Sequence, residues 1–404
     1  MKRSIVLVMA LTLGLTVLNC KKDVTPSYKV DVTLAFPQGF TLASMPTGVE
    51  IKITNAETGR ETVILGDASG KVSVILVEGK YSVKCNFSVK VGSDEYFFNG
   101  VQNNVVLTKD GPINMDLVLA KNSGGFILKE IYYAGSKTPD AKSYASDQFH
   151  EIYNNSNDTL FADGLCIGCL QQIASSPNVW LKTDGTVMDE LPIIFQAWMI
   201  PGTGKEHPVY PGKSLVIAQD GINHITDPNG NPTSPVNLAN AQWESYVDNG
   251  KDLDAPGVPN LTLMYTTAPL MTDWSVNVNG YATIIFRLPT GTDWQTYANN
   301  ANNFKTAPNS TATTKYFMIN KSNVVDAVEL VYADETKRYK RLPDTLDAGY
   351  TYLDAGSYSS KSVRRKANMI VGGRVIYKDT NNSTADFLHD VTPTPGVNPT
   401  VVEK

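Results

Sequence analysis

The chain has 404 residues, with 35 Lys and Arg against 40 Asp and Glu, a formal charge of −5. No basic stripe exceeds short clusters such as Lys361 to Lys366, which argues against nucleic acid as the main partner. Only 19% of residues are charged while Asn, Thr, Ser, Gly and Tyr are plentiful, the balance of an exported β-protein rather than a cytosolic helical one.

Lys2 and Arg3 are followed by the apolar run Ile5 to Leu11, extended through Leu13, Leu15 and Val17 and closed by Asn19-Cys20. This stretch is too short and wrongly flanked for a stable membrane span. Past it, no apolar run of ~18 residues occurs that could span a bilayer. With a cysteine where a secretory site carries small residues, residues 1–20 resemble a bacterial lipoprotein signal peptide. The resemblance implies that Cys20 becomes the mature N-terminus, carries palmitate and other acyl chains, and tethers a 384-residue ectodomain. Loss of Lys2 and Arg3 leaves 33 basic against 40 acidic residues, a charge of −7. Residues 21–28 read as a short tether.

From Lys29 the pattern alternates with period two, the signature of half-buried strands. Val30 to Phe36, Val49 to Ile53, Glu61 to Leu65, Lys71 to Val77 and Tyr81 to Phe87 are separated by turn sequences such as Asn55-Ala56-Glu57-Thr58-Gly59 and Gly66-Asp67-Ala68-Ser69-Gly70. About seven short strands with turns every 8–12 residues predict a β-sandwich over residues 29–120. The order Thr-Gly, then Asp-Ala-Ser-Gly, then Val-Glu-Gly-Lys-Tyr-Ser-Val resembles prealbumin-like or carboxypeptidase-regulatory-like surface domains. That resemblance implies structure and binding, not catalysis.

Lys121-Asn122-Ser123-Gly124-Gly125 reads as the boundary of a second region, residues 121–404. Near its start stands Phe149-His150-Glu151-Ile152-Tyr153-Asn154. Near its end stand Ser362-Val363-Arg364-Arg365, Asp379-Thr380-Asn381-Asn382 with Asp386-Phe387, and Pro393-Thr394-Pro395-Gly396. Together these resemble the two ends of a lamin-tail-type domain, an immunoglobulin-like sandwich, here elaborated by an insertion at about 165–360. The expected architecture is therefore all-β: a prealbumin-like sandwich followed by a larger lamin-tail-like sandwich with long inserted loops. The whole layout also resembles a family of Bacteroidota lipoproteins classed as a domain of unknown function. That implies an accessory of a TonB-dependent outer-membrane transporter.

Candidate chemistry is sparse. Cys166-Ile167-Gly168-Cys169 has CxxC spacing, but no second CxxC or close His pair completes a zinc site. A local disulfide between Cys166 and Cys169, or inert thiols, is the expectation. His150, His207, His224 and His389 are scattered. His150 and Glu151 are neighbours on a predicted strand and point to opposite faces. Asp227, Asn229 and Asn231 offer oxygen ligands at alternate positions and are the candidate metal ligands. They lack the bidentate acid of a calcium loop, because residue 238 is Leu. The acidic run Asp248 to Asp254 could assist such a site. No Gly-x-Ser-x-Gly elbow, phosphate loop or Rossmann fingerprint occurs.

Aromatic residues cluster in the inserted region, among them Trp243, Tyr246, Trp274, Tyr281, Trp294, Tyr297 and Phe304, close to Asn-rich stretches. Rings beside amides make platforms for glycans, peptides or proteins. Half or more of these aromatics are expected to fill the cores of the sandwich, and a subset of Trp243, Tyr246, Trp294 and Tyr297 is the candidate ligand-binding set. The expected function is a non-catalytic, lipid-anchored binding protein of the outer membrane, displayed on the cell surface, without cofactor and acting beside a TonB-dependent transporter. A surface hydrolase using loop carboxylates and a structural or adhesive lipoprotein are the alternatives.

Overall fold

The computed structural model describes residues 25–403, apart from 38–39, 41, 43, 92–93, 121–124 and 275. The expected signal peptide with Cys20 and most of the expected tether lie outside the described residues, as does most of the expected boundary at 121–125. The protein is all-β. Among the described residues, helix is confined to Trp294–Asn299, Ser383–Asp386 and three single 3₁₀ turns.

The N-terminal unit packs a three-stranded sheet against a five-stranded one. In the first sheet Ser27–Ala35 lies between Lys71–Val77, antiparallel, and Gly111–Asp116, parallel. Val30, Val32 and Leu34 face inward while Lys29 and Asp31 face solvent, the period-two division that places one face of a strand in a core. The second sheet runs Glu61–Leu65, Glu50–Asn55, Gly79–Val91, Asp94–Leu107 and Val118–Ala120. It contributes Ile51, Ile53, Val83 and Phe98 to the same core. The turn at Asp67 forms because its Oδ1 accepts the amides of Ser69 and Lys71 at 2.8 and 3.0 Å. Gly70 closes it at φ +70, where a side chain would meet the Leu34 carbonyl.

The C-terminal unit has two larger sheets. The first orders Trp243–Glu244, Ser214–Ala218, Phe149–Asn154, Phe126–Tyr132, Ser362–Arg365 and Phe387–Val391. The second orders Phe304–Thr306, Lys315–Asn320, Glu190–Met199, Leu165–Leu170, Thr283–Arg287 and Val324–Val328, with Thr262–Thr266 pairing Glu190–Met199 from the side. Leu128, Ile131, Phe149 and Val216 of the first sheet meet Ile167, Trp198, Ile285 and Val328 of the second in the main core. The second sheet is also covered on its outer face, where Cys166, Ile193, Ile284, Phe286 and Phe317 form a further core. Burial on both faces explains why Leu165–Leu170 is buried without alternation. Residues 165–360 thus carry all strands of the second sheet.

Buried charges tie the ends of the chain into this sandwich. Lys129 Nζ donates to Glu151 Oε1 and to the Val397 carbonyl, both at 2.7 Å. Arg365 reaches Asp326, Asp379 and Asp386 in one buried cluster. Asn99 Nδ2 donates to the Thr380 carbonyl and Asn382 Nδ2 donates to Asn99 Oδ1 at 3.5 Å, joining the N-terminal unit to the second.

Candidate functional site

The CxxC cysteines lie within strand Leu165–Leu170, three positions apart, and so on opposite faces of the sheet. Cys169 faces the main core, with Sγ 3.7 Å from Thr283 Oγ1, and Cys166 faces the outer one. Both are free thiols, so the expected disulfide is not formed. Burial pushes both up to about 12, which removes the thiolate needed for redox exchange or zinc binding.

The four candidate aromatics are not brought together. Trp243 is buried in the main core, its ring 4.9 Å edge-on from His207. Trp294 and Tyr297 sit on the short helix capped by Asp293 and pack on the outer core, Tyr297 edge-on to Phe317 at 5.5 Å with its hydroxyl donating to the Met318 carbonyl at 3.1 Å. Tyr246 is half-buried and donates to Asp248 at 3.4 Å. Three of the four thus serve packing, and the structure does not gather the set into one ligand surface.

The Asp227 loop is a turn rather than an ion site. Asp227 Oδ1 accepts the Asn229 amide at 2.9 Å. Asn231 is fully buried and committed, its Nδ2 donating to Ser136 Oγ and the Lys137 carbonyl and its Oδ1 accepting from Thr233. The histidines are likewise placed by packing. His150 stacks on Trp274 at 4.8 Å and burial pushes it down to about 3, while Glu151 points away to Lys129. His224 lies between the Tyr144 hydroxyl (2.7 Å) and the Asp220 carbonyl (3.1 Å) and is pushed down to about 4, mainly by burial.

A cleft of about 430 Å³ opens where the second sheet meets two loops. Its walls carry the rings of Trp180, Tyr281 and Tyr316 and the amides of Gln171 and Gln172. Gln171 Nε2 donates to the Tyr316 hydroxyl at 3.2 Å, which leaves that hydroxyl's proton to donate elsewhere. The Trp180 indole N–H is buried and has no partner, a state that costs free energy unless something else accepts it. Arg341 holds one wall, its Nε and Nη2 donating to the carbonyls of Gln172 (3.0 Å) and Ile173 (2.7 Å). Asn309 holds the other by donating to the Leu181 carbonyl at 2.9 Å. The lining holds no Asp, Glu, His, Lys or Arg, so its recognition chemistry is aromatic faces and neutral hydrogen bonds. Trp180 escaped the sequence reading because it stands apart from the aromatic cluster and nothing local marks it.

Besides the Arg365 cluster, three further groups of acids and histidines stand out among the described residues. Asp163 takes the amides of Gly204, Glu206 and His207 at 3.2, 2.9 and 3.0 Å and serves as a turn cap. Asp390 accepts the amides of Asp354 and Ala355 at 3.1 and 2.9 Å and lies 2.7 Å from His389 Nδ1. Asp220, Asp252 and Asp273 converge from three different loops, with a carboxylate oxygen of each within 4.8 Å of the others. Burial, then repulsion from Asp273, Asp252 and Glu244, raises Asp220 far above the usual carboxylate range. Burial first pushes Asp252 up to about 7. Asp252 belongs to the acidic run noticed in the sequence. Asp220 and Asp273 are distant from it along the chain, and only the fold unites them.

With this architecture in hand, the family model described as "Protein of unknown function (DUF4876)" matches residues 210–394. The crystal structure of a DUF4876 family protein from Bacteroides thetaiotaomicron is similar over 93% of this chain and 99% of its own, at 29% identity and a TM-score of 0.61. A Bacteroides uniformis protein provisionally described as carbohydrate binding aligns over 47% of this chain and 79% of its own, at 10% identity and a TM-score of 0.17. No curated protein matches. The chain is thus similar, along nearly its whole length, to a Bacteroides protein of the DUF4876 family.

Proposed function

We propose that this is a DUF4876-type envelope lipoprotein, anchored through acylated Cys20, that binds a neutral ligand in the cleft around Trp180 without transforming it. The uncharged lining, with Trp180, Tyr281 and Tyr316 beside the side-chain amides of Gln171 and Gln172, carries the reading. A sugar or an uncharged peptide segment presents the apolar faces and hydrogen-bond acceptors that such walls select. The accessory role beside a TonB-dependent transporter is part of the same proposal, and lipid anchoring supports it by raising effective concentration at the membrane.

Titration calorimetry with neutral oligosaccharides and short peptides tests the cleft. Trp180→Phe shrinks one ring of the lining, and Tyr316→Ala removes a wall. Each is expected to weaken binding about tenfold or more. Unaltered affinity in both variants would place the ligand elsewhere. Palmitate labelling of the wild type and its loss in Cys20→Ala tests the anchor. Recovery of the tagged protein from gently solubilised outer membranes without a transporter would sink the accessory role.

A further inference from the structure

We propose that Asp220, Asp252 and Asp273 form a calcium site that ties three loops of the larger sandwich together. Asp220 follows strand Ser214–Ala218, Asp252 lies beyond Trp243–Glu244, and Asp273 lies beyond Thr262–Thr266. Their carboxylate oxygens lie within 4.8 Å of one another. Calcium holds oxygen ligands at 2.3–2.6 Å, so two ligands of one ion are at most about 5 Å apart. The observed spacing fits that limit.

The second observation is Asp220 itself. It is only 5% exposed, and its Oδ1 is buried without a hydrogen-bond partner. The charged groups that act on it most strongly are acids, Asp273, Asp252 and Glu244, and its side chain also shares a hydrogen bond with Asp273. Glu244 is already used, accepting the amides of Gly221 (2.7 Å) and Ala255 (2.8 Å). The same protein shows what a completed cluster looks like. Asp326, Asp379 and Asp386 also gather three buried carboxylates, and the Arg365 guanidinium stands among them at 2.9–3.3 Å. At Asp220 no side chain plays that part among the described residues. A buried carboxylate with one orphaned oxygen, gathered with two further carboxylates, calls for a cation.

The donors are all oxygen, which selects a hard cation, and they come from three irregular loops, which suits calcium's tolerant geometry better than magnesium's octahedron. The ligands are pre-positioned. Asp252 accepts the amides of Val247 (2.6 Å) and Leu253 (2.9 Å), and Asn249 Nδ2 donates to the Pro269 and Met271 carbonyls at 3.3 and 2.5 Å, fastening the Asp252 loop to the loop of Asp273.

The test uses the full ectodomain after chelator treatment, titrated with calcium, magnesium and terbium. Trp274, next to Asp273 in the chain, would sensitise terbium emission. Calcium is expected to half-saturate at about 0.1–1 mM, the range of extracellular sites, and to raise the melting temperature by roughly 3–10 °C at tenfold to hundredfold excess. Asp220→Asn and the half-buried Asp273→Asn should each abolish the rise and the terbium signal. Because Asp273→Asn keeps a polar side chain at a partly exposed position, it guards against a simple folding failure. No calcium response in the wild type, as expected of carboxylates that share a proton instead, would overturn the site. So would an undiminished response in both variants. Equal stabilisation by magnesium would overturn the choice of ion.

Discussion

Arg365 donates from Nη2 to both carboxylate oxygens of Asp326, each at 2.9 Å, and from Nη1 to Asp379 and Asp386 at 3.1 and 3.3 Å. Arg365 lies on Ser362–Arg365 of the first sheet and Asp326 on Val324–Val328 of the second, so the pair bolts the two layers together. Asp326 Oδ2 also accepts the Leu128 amide at 2.6 Å. Replacing Arg365 by Met would leave three buried carboxylates without their cation, a loss of about 3–5 kcal/mol by comparison with other broken buried pairs. Chemical denaturation should show the midpoint falling with the slope unchanged. An Arg365→Met variant as stable as the parent would mean that the cluster is not what joins the sheets.

The same residues show how much was legible beforehand. Ser362, Arg365, Asp379, Asp386 and Thr394 stood out in the sequence as a pattern without a visible reason. The structure supplies the reason, since Ser362 Oγ and the Thr394 amide both bond Glu130 while the Arg365 cluster gathers the two Asp positions. The period-two strands of the N-terminal unit were legible because one face is wet. Strands such as Leu165–Leu170 were not, because burial on both faces erases alternation, and that made a strand interior look like a CxxC motif. The sequence did not show which of the aromatics would pack, as Trp294 and Tyr297 do, since three-residue spacing on a six-residue helix is too short a pattern to reveal which face is covered.

The thiols offer a direct check. Cys85, Cys166 and Cys169 are all buried and free, and burial pushes each up to about 12. The native protein should therefore react very slowly with a thiol reagent at neutral pH. These three should become titratable once it is unfolded without reductant. A Cys166–Cys169 disulfide in the peptide map would refute the placement of the two side chains on opposite faces.

Glu329 gives a pH-dependent prediction. It is fully buried, its Oε2 accepts the amides of Arg341 and Leu342 at 2.8 and 2.7 Å, and its Oε1 has no partner. Burial, partly offset by Lys340, pushes it up to about 7 from an ordinary 4.5. An acid raised on folding binds more protons in the native state. Its contribution is therefore complete below pH 4.5 and declines as the pH rises through 7, by at most about 1.4 kcal/mol per pH unit crossed. Glu329→Gln keeps an oxygen for both amides and removes the charge. Relative to the parent, this variant should gain stability between pH 4.5 and 7.5 and hold that gain above it. A stability difference that stays flat with pH would show that Glu329 titrates normally.

Tyr297 and Trp180 separate packing from binding most sharply. Tyr297 bonds the Met318 carbonyl at 3.1 Å and meets Phe317 edge-on, so its hydroxyl serves to dock the short helix onto the outer core. Tyr297→Phe should cost about 1 kcal/mol of stability, the usual net value of one such bond, and leave ligand affinity unchanged. Trp180→Phe shrinks a ring that lines the cleft and breaks no hydrogen bond within the protein, so it should lower affinity for the cleft's ligand. The stability it loses should come from the smaller ring rather than from a broken hydrogen bond. Measuring both variants by thermal melting and by calorimetry on one ligand gives two opposite signatures. If Tyr297→Phe were the one to lose affinity, the ligand would lie on the helix and not in the cleft beside Trp180.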